Sequence, residues 1–380
     1  MIYFDNSATT KAHKEIMDTF ISVNENFWAN PASIHEFGHH TNELLQSART
    51  QVADVLKTAS EKIYFTSGGT ESNNLAIFGL ANKYKLRGNH ILISEIEHPS
   101  ILEAARMLQQ QGFIVEEIPI NKDGVISIVD LKTLIRKDTI LVSVMHVNNE
   151  IGSIQPINEI SALIKSNSRA VFHMDAVQSF GKMLVNFDEQ HVDAITISSH
   201  KIHGLKGSGL LALKNSIEID PIIYGGGQES GIRSGTTPVP LAVSTAKAVR
   251  LASINLKEHI ESLKKMTEEL KRFLKTFSSI KIISPEIRAP HIISFSVKGV
   301  KGEVFINALQ KEDVIVSTSS ACSSKQTKTS HVLKAMHLED DYIKGVIRLS
   351  LSYTNTDTEV EQFKKIFTKV MNVIKGDIKR

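Results

Sequence analysis

Two charged side chains stand near the ends of neighbouring apolar runs. Asp175 closes the run "AVFHMD", and Lys201 comes after the next run, "DAITIS", with Ser198, His200 and His203 around it. Ligands of open α/β sheets bind beyond the carboxyl ends of the strands. A lysine at such a place can form a Schiff base with a cofactor, and an acid can pair with a protonated ring nitrogen. Taken alone, Asp175 could instead cap a helix, and Lys201 could be a solvated loop residue.

A glycine pair precedes these residues in the chain. In "TSGGTESNN", Gly68 and Gly69 lie between an apolar strand and a helical pattern. Such a turn directs free backbone N–H groups and the positive end of the helix toward an anion, and phosphate is the usual guest. The segment matches neither the Walker A motif nor G-x-G-x-x-G, so it does not indicate a nucleotide. A simple tight turn is the alternative.

Cys322 is the single cysteine in 380 residues, and it lies in the polar stretch "VSTSSACSSKQTK". A lone cysteine usually packs in a core as a small hydrophobe. Because almost no apolar residue flanks Cys322, the pattern predicts an exposed loop. Without further information, an incidental surface thiol competes with a reactive one.

The segment "HEFGH" satisfies the H-E-x-x-H pattern of zinc proteases. That chemistry needs His35 and His39 on one face of a helix, and Gly38 is a poor helix residue. Asn42 also stands where the longer metzincin motif requires glycine. Glu61 lies at the distance of a third ligand but in a polar turn. We therefore predict no metal site.

The composition is that of an ordinary globular protein. Of the residues, 41% are hydrophobic and 22% charged, and the formal net charge is +3. This near balance gives no reason to expect nucleic acid or a membrane as the main partner. A single cysteine excludes an internal disulfide and fits a reducing compartment. The N-terminus lacks a basic segment followed by an apolar run, and no stretch approaches the roughly 20 apolar residues of a membrane span, so we expect a cytoplasmic protein.

From about residue 62 the sequence alternates between short β-rich runs and longer helical patterns. The predicted strands are "KIYFT", "HILIS", "FIVEEIPI", "TILVSVMH", "AVFHMD" and "AITIS". This alternation predicts an α/β architecture, with a mostly parallel sheet covered by helices on both faces. A long amphipathic helix over 257–277 then leads to a smaller α+β unit with the strands "HIISFSV", "DVIVST" and "GVIRLSLS".

A phosphate turn, a strand-end acid, a lysine after the following strand and a late arginine in "IRLS" together describe an enzyme that depends on pyridoxal 5'-phosphate (PLP). The chain also resembles a known family, the NifS/IscS-like cysteine desulfurases among the class V aminotransferases. The resemblance runs almost from end to end and is carried by "YFDNSATT", "NPAS", "FTSGGTESNN", "EHPS", "MHVNNEIG", "HMDAVQS", "SHKIHG", "GGGQESGIRSGT", "SSACSS" and "IRLSLS". It implies the PLP-dependent transferase fold (aspartate aminotransferase-like, fold type I). The large PLP-binding domain would span 13–255, and a small domain would combine 1–12 with 256–380.

The resemblance implies a role for each matching residue. Lys201 would bind PLP covalently and move protons, and Asp175 would pair with the pyridine nitrogen. His98 would stack on the ring and act in catalysis, and Gln178 would face the phenolic oxygen. The implied phosphate ligands are Gly69, Thr70, Ser198, His200 and, from the partner subunit of a homodimer, Thr236. The implied ligands of the substrate carboxylate are Asn149 and Arg348, and arginine offers the planar fork suited to that group.

Cys322 matches the catalytic cysteine of the family. The implied reaction removes sulfur from L-cysteine, leaving L-alanine and a persulfide on Cys322, and the attacking group must be a thiolate. The persulfide would pass to a sulfur-acceptor protein in iron–sulfur cluster assembly, tRNA thiolation or thiamine synthesis. No direct nucleic-acid, membrane or metal partner is implied.

Three positions depart from the family pattern. Ser319 stands where glycine is common, Leu205 where proline is usual, and Ser230 where an arginine or a similar residue is usual. None of them removes an implied catalytic group. Two other classes stay open: another class V PLP enzyme, such as an aminotransferase or selenocysteine lyase, and a non-catalytic dimeric binding protein. An aminotransferase would not need Cys322, and a protein without PLP would lack the yellow absorption of the bound cofactor.

Overall fold

A seven-stranded sheet forms the centre of the larger part of the protein. The computed structural model describes residues 1–318 and 330–378. In chain order the strands are β1 (Ile2–Tyr3), β2 (Ile63–Thr66), β3 (His90–Ser94), β4 (Ile114–Ile118), β5 (Thr139–Met145), β6 (Val171–Asp175), β7 (Ala194–Ser198), β8 (Gly209–Leu213), β9 (Ile280–Ile282), β10 (Ile292–Val297), β11 (Val314–Ile315), β12 (Ser317–Thr318) and β13 (Val346–Ser350).

Helices connect and cover these strands. They are α1 (Lys14–Asn26), α2 (Glu36–Leu56), α3 (Gly69–Tyr84), α4 (Pro99–Gln110), α5 (Ile128–Leu134), α6 (Ile157–Asn167), α7 (Phe187–Gln190), α8 (Val239–Ser253), α9 (Leu256–Leu274), α10 (Gly302–Gln310), α11 (His331–Ala335), α12 (Asp340–Ile343) and α13 (Asp357–Ile378). None of the helices within the described ranges is long and apolar enough to cross a membrane.

The large sheet has the strand order β2-β8-β7-β6-β5-β3-β4. Its neighbours pair in parallel, except that β8 runs antiparallel to both β7 and β2. The expected α/β fold with a mostly parallel sheet is therefore confirmed. The run "GLLAL" of β8 was not predicted as a strand. It begins too soon after β7 for a helical crossover, and such a short return forces an antiparallel pairing.

Each face of the large sheet packs against helices because its strands are apolar on both sides. Ile91 and Ile93 of β3 pack in one cluster with Leu75 and Ile101 from α3 and α4. Leu92, which lies between them in the strand, packs in the opposite cluster with residues of α1, α2, α6 and α8. This alternation follows from the two-residue period of a strand.

A four-stranded antiparallel sheet, with the order β12-β13-β10-β9, organises the rest of the chain. The run "DVIVST" forms two short strands rather than one, since β11 pairs with β1 and β12 pairs with β13. Ile2 and Phe4 share a core with Leu263 of α9 and Phe363 of α13. This shared core supports our assignment of 1–12 to the small domain with 256–380, which stays a proposal together with the large domain over 13–255.

Candidate active site

A cavity of about 280 Å³ opens at the carboxyl ends of the large sheet. Asp175 is the last residue of β6, and Lys201 lies on a 3-10 turn (Ser199–Lys201) that follows β7. The predicted site residues that line the cavity are Gly69, Thr70, His98, Asn149, Asp175, Gln178, Ser198, His200, Lys201 and Arg348. Thr236 is exposed and is not part of this lining. Cys322 lies outside the described residues.

The Asp175 carboxylate is held from two sides. Asn73 Nδ2 donates to Oδ2 at 2.8 Å, and the backbone N–H of Val177 donates to Oδ1 at 2.9 Å. Asn73 also donates to Ser100 Oγ at 2.9 Å, which links the acid to the start of α4. Asp175 is therefore oriented before any ligand enters the cavity.

Lys201 extends toward the N-terminal segment. Its Nζ donates to the backbone oxygens of Ser7, at 2.5 Å, and Ala8, at 2.7 Å. Gln178 Nε2 donates to the same Ser7 oxygen at 3.0 Å. Behind the turn, Lys182 Nζ donates to the Lys201 carbonyl at 2.8 Å, and burial lowers the pKa of Lys182 to about 7. The Lys201 side chain and its backbone are thus fixed by separate contacts.

The glycine turn begins α3, as the sequence predicts. Gly68 has φ +147, a conformation that favours glycine, and α3 starts at Gly69. The turn lies directly on β8, since a Cβ added to Gly209 would be 2.8 Å from Gly68 Cα. Glu71, in the first turn of α3, accepts from the Ser67 N–H at 2.9 Å and from Arg233 Nε at 2.8 Å. These two contacts fix the first turn of α3, in which Gly69 and Thr70 line the cavity.

Both cavity histidines are buried enough to favour the neutral ring. His98 precedes α4, where its Nδ1 accepts from the Ser100 N–H at 3.2 Å, and burial lowers the pKa of His98. Because Nδ1 accepts, the neutral ring carries its proton on Nε2. Burial also lowers the pKa of His200 to about 4, and its Nδ1 lies 3.1 Å from Thr9 Oγ1.

Arg348 lies within β13 and lines the cavity. Its Nη1 donates to the Asn149 carbonyl at 2.8 Å, and its Nη2 donates to Asp5 Oδ1 at 2.8 Å. Its Nε is buried and has no hydrogen-bond partner among the described residues. The guanidinium thus keeps N–H groups for a carboxylate ligand.

Two buried acids each stand next in the chain to a residue of the cavity lining. Glu97 accepts from the Met145 N–H at 2.6 Å, and burial together with the Asp175 charge raises the pKa of Glu97 well above its usual range. Glu150 accepts from Ser330 Oγ at 2.6 Å, and burial raises the pKa of Glu150 to about 7. Neither acid was singled out from the sequence.

The residues present fit PLP. Five buried polar atoms on the cavity lining have no partner among the described residues: Ser7 Oγ, Asn73 Oδ1, Gln178 Oε1, Ser198 Oγ and Arg348 Nε. Buried polar groups normally have partners, so these atoms indicate a polar ligand. A Cβ on Gly69 would lie 3.1 Å from Val177 Cγ2 and 3.5 Å from Ser198 Cβ, so a side chain there would fill the space beside Ser198. The N-terminus of α3 suits the cofactor phosphate, and the Lys201 amine suits its aldehyde. The Asp175 carboxylate suits the pyridine nitrogen, and the Arg348 guanidinium suits a substrate carboxylate.

The zinc-protease pattern serves a structural purpose instead. His35 is the N-cap of α2, and its Nδ1 accepts from the Gly38 N–H at 3.1 Å. The helix forms despite Gly38, where a Cβ would lie 2.5 Å from the Ser33 carbonyl oxygen. Within residues 1–318 and 330–378, no group of three or more metal-ligating side chains could hold an ion.

Two positions that depart from the family pattern are placed by the structure. Ser230 has a left-handed conformation, with φ +56, beside the buried Glu229. Leu205 packs against the core of the large sheet. The third, Ser319, lies outside the described residues.

Sequence reasoning missed several residues that complete the site. Asn73 follows Gly69 by four residues, so the two share one face of α3, and this spacing was a usable signal. Asp5 and Glu150 lie within the quoted segments "YFDNSATT" and "MHVNNEIG". No local pattern connects either of them to Arg348 or Ser330, because those contacts join segments distant in the chain.

Comparisons with known proteins identify the family of the chain. The chain matches the family Aminotransferase class-V over residues 2–363. A NifS/IcsS protein homolog from Lactobacillus delbrueckii subsp. bulgaricus is 41% identical over 375 residues, with 97% of each chain covered. Cysteine desulfurase IscS from Dictyoglomus turgidum is 38% identical over 376 residues, which cover 98% of this chain and 95% of the relative. A solved NifS-like protein superimposes with a TM-score of 0.92 at 35% identity, covering 98% of this chain and 99% of that one. The family expected from the sequence is therefore confirmed, and the chain belongs to the class V aminotransferases, among their NifS/IscS-like members.

Proposed function

We propose that the protein is a PLP-dependent cysteine desulfurase, which converts L-cysteine to L-alanine and leaves the sulfur as a persulfide on Cys322. The observation that carries this proposal is that Lys201, Asp175 and Arg348 line one cavity of about 280 Å³. When bound, PLP supplies an electron sink for negative charge at the substrate Cα. The similarity to cysteine desulfurases supports L-cysteine as the substrate.

Each residue around the cavity has its own role in the proposed reaction. Lys201 provides the amine that binds the cofactor and then moves the Cα proton. Asp175 would keep a proton on the pyridine nitrogen, and Gln178 would face the phenolic oxygen of the cofactor. The residues that would hold the phosphate at the start of α3 are Gly69, Thr70, Ser198 and His200. His98 would lie against the cofactor ring, and Nε2 would be the nitrogen that exchanges a proton.

Arg348 and Asn149 orient the substrate by its carboxylate. With the substrate held there, the Cys322 thiolate attacks the substrate sulfur. An S–S bond forms and the C–S bond breaks, with the bonding electron pair left on the carbon. That carbon takes up a proton, and the fragment leaves as L-alanine.

Assembly, partner and location belong to the same proposal. Thr236 is exposed and outside the cavity lining, so a phosphate contact from it fits a second copy of the chain in a homodimer. The persulfide passes its sulfur to an acceptor protein in the cytoplasm.

Alanine release tests the proposal directly. The PLP-loaded protein and Cys322→Ser are each given L-cysteine with a thiol reductant, and alanine and sulfide are measured. We expect the wild type to release both and Cys322→Ser to release almost none. Equal alanine from both would remove Cys322 from the reaction. No alanine from the wild type, with transfer of an amino group to a keto acid, would show an aminotransferase instead.

A further inference from the structure

The two ends of the segment 319–329, which carries Cys322, are attached beside the residues proposed to bind the substrate carboxylate. On the N-terminal side, Ser317 of β12 pairs directly with Arg348 of β13. On the C-terminal side, Ser330 contacts Glu150, the residue after Asn149. Arg348 and Asn149 are themselves joined by a hydrogen bond of 2.8 Å.

The contact between Ser330 and Glu150 is buried and specific. Ser330 Oγ donates to Glu150 Oε2 at 2.6 Å and accepts from the Leu333 N–H at 3.2 Å as the N-cap of α11. Both residues are 7% exposed. Because both groups are buried, losing this hydrogen bond would leave a buried polar atom without a partner, which is costly.

Glu150 is itself rigidly placed. Asn148 Oδ1 accepts from the N–H groups of Glu150, at 2.9 Å, and Ile151, at 3.1 Å. The Glu150 carbonyl accepts from Ser294 Oγ at 2.5 Å. A carboxylate on such a held turn can fix the position of a neighbouring segment.

Further contacts secure the start of α11. Val332 and Leu333 are buried in a cluster with Ile96 and Met145, next to the cavity. The His331 ring Nε2 lies 3.0 Å from the carbonyl oxygen of Glu97, the residue before His98. These contacts dock α11, while the Glu150 contact fixes Ser330, the residue that follows the segment.

We propose that Glu150 is a positioning residue that fixes, through Ser330, where the Cys322 segment joins the body of the protein. Cys322 precedes Ser330 by eight residues, a length of chain that spans at most about 27 Å. The position of Ser330, together with that of Thr318 four residues before Cys322, therefore bounds the region that the thiol can reach. The inference rests on the proposed function of Cys322, and the carboxylate of Glu150 takes no part in the reaction.

The test separates sulfur uptake from substrate binding in the PLP-loaded protein. Uptake is the single-turnover rate of persulfide formation on Cys322, followed by mass spectrometry, and binding is the change in cofactor absorbance with L-cysteine. We expect Glu150→Ala and Ser330→Ala each to slow uptake about tenfold, the loss of about 1.4 kcal/mol, with cysteine affinity unchanged. The double variant should lose no more than either single variant, because both remove one contact.

Conservative variants and a matched control distinguish positioning from general damage. Glu150→Gln keeps an acceptor and Ser330→Thr keeps a hydroxyl, so both should retain most of the uptake rate. Ser127→Ala removes an N-cap serine from α5, away from the site, and should leave uptake unchanged. The rate of amide hydrogen exchange of residues 331–336 should rise in Glu150→Ala, although no residue of α11 is substituted.

Each other outcome counts against a stated claim. Normal uptake in Ser330→Ala, unchanged exchange of 331–336 in Glu150→Ala, or an equal loss of cysteine affinity would overturn the positioning role. If the wild type itself forms no persulfide on Cys322, the proposed function fails and this inference fails with it. That case is recognised before any Glu150 variant is measured.

Discussion

Arg348 Nη2 donates to Asp5 Oδ1 at 2.8 Å, so an acid from the N-terminal segment holds the arginine proposed to bind substrate. The opposite nitrogen, Nη1, donates to the Asn149 carbonyl. Two fixed acceptors on different nitrogens set the plane of the guanidinium. The plane of a guanidinium decides whether a carboxylate can meet it with two parallel bonds.

Asp5→Ala should therefore weaken substrate capture more than turnover. Losing one charge-assisted bond, of about 1.5–3 kcal/mol, leaves Arg348 less well oriented. We expect KM for L-cysteine to rise about tenfold with kcat within about threefold. Steady-state alanine formation measures both constants.

Asn6→Ala is the matched control for that variant. Asn6 Nδ2 donates to the Ser350 carbonyl at 3.1 Å, and none of its hydrogen bonds to the described residues is to Arg348. It should lower thermal stability without changing KM, whereas Asp5→Asn, which keeps an acceptor, should restore part of the affinity. An unchanged KM in Asp5→Ala would show that Asn149 alone orients the guanidinium.

Gly209→Ala should weaken cofactor binding. A Cβ at this position would lie 2.7 Å from the Ile197 carbonyl oxygen and 2.8 Å from Gly68 Cα. Both neighbours are backbone atoms, so the phosphate turn must shift. We expect the Kd for PLP, from absorbance titration, to rise about tenfold.

Gly299→Ala provides the comparison for backbone strain alone. Gly299 has φ +75, and an added Cβ meets nothing within 4 Å. Its substitution should cost about 1 kcal/mol of stability and leave PLP affinity unchanged. Equal PLP affinity in Gly209→Ala and the wild type would mean that the turn tolerates displacement.

A buried ion pair supports the same region. Arg49 and Glu229 form two hydrogen bonds, of 2.7 and 2.8 Å, with side chains 9% and 2% exposed. The Phe65 N–H also donates to Glu229 at 2.9 Å. Because Glu229→Ala leaves the Arg49 charge buried and unpaired, we expect a loss of about 3–5 kcal/mol of unfolding free energy.

Urea unfolding at constant protein and PLP concentration measures this loss. Asp18→Ala breaks the exposed pair of Lys14 and Asp18, with side chains 90% and 57% exposed, and should leave the urea midpoint unchanged. If both variants shift the midpoint equally, burial does not strengthen the Arg49 pair.

The sequence predicted the parts of the site that local pattern determines. Asp175 and Lys201 follow apolar strands, and Gly68 and Gly69 join a strand to a helix, so each position could be read from neighbouring residues. Parallel strands then bring these ends to one edge of the sheet.

The remaining parts depend on contacts between distant segments. Nothing near Asp5 predicts a partner 343 residues away, and Glu150 meets Ser330 across 180 residues. The strand β8 was not predicted although all five of its residues are buried, and its antiparallel direction follows from the short connection to β7. Because contacts between distant segments leave no local pattern, the residues that carry chemistry were predicted better than the residues that hold them in place.

His173 makes the stability of the protein depend on pH. The ring is fully buried on β6, two residues before Asp175, with Nδ1 2.8 Å from Ser143 Oγ and Nε2 3.0 Å from Thr196 Oγ1. Burial lowers the pKa of His173 from 6.5 to about 3 in the folded protein. The unfolded chain therefore takes up a proton on His173 below pH 6.5, while the folded chain stays neutral until about pH 3. The stabilising contribution is complete above pH 6.5 and declines by about 1.4 kcal/mol per pH unit as the pH falls.

His173→Gln tests this dependence, because glutamine can bond to Ser143 and Thr196 but does not titrate. The free energy of unfolding is measured by urea between pH 7.5 and 4.5, with cofactor occupancy checked by absorbance. The difference between wild type and variant should shrink by about 2–3 kcal/mol as the pH falls across this range. Parallel profiles would show that His173 binds the same number of protons in the folded and unfolded states, contrary to the effect expected of its burial.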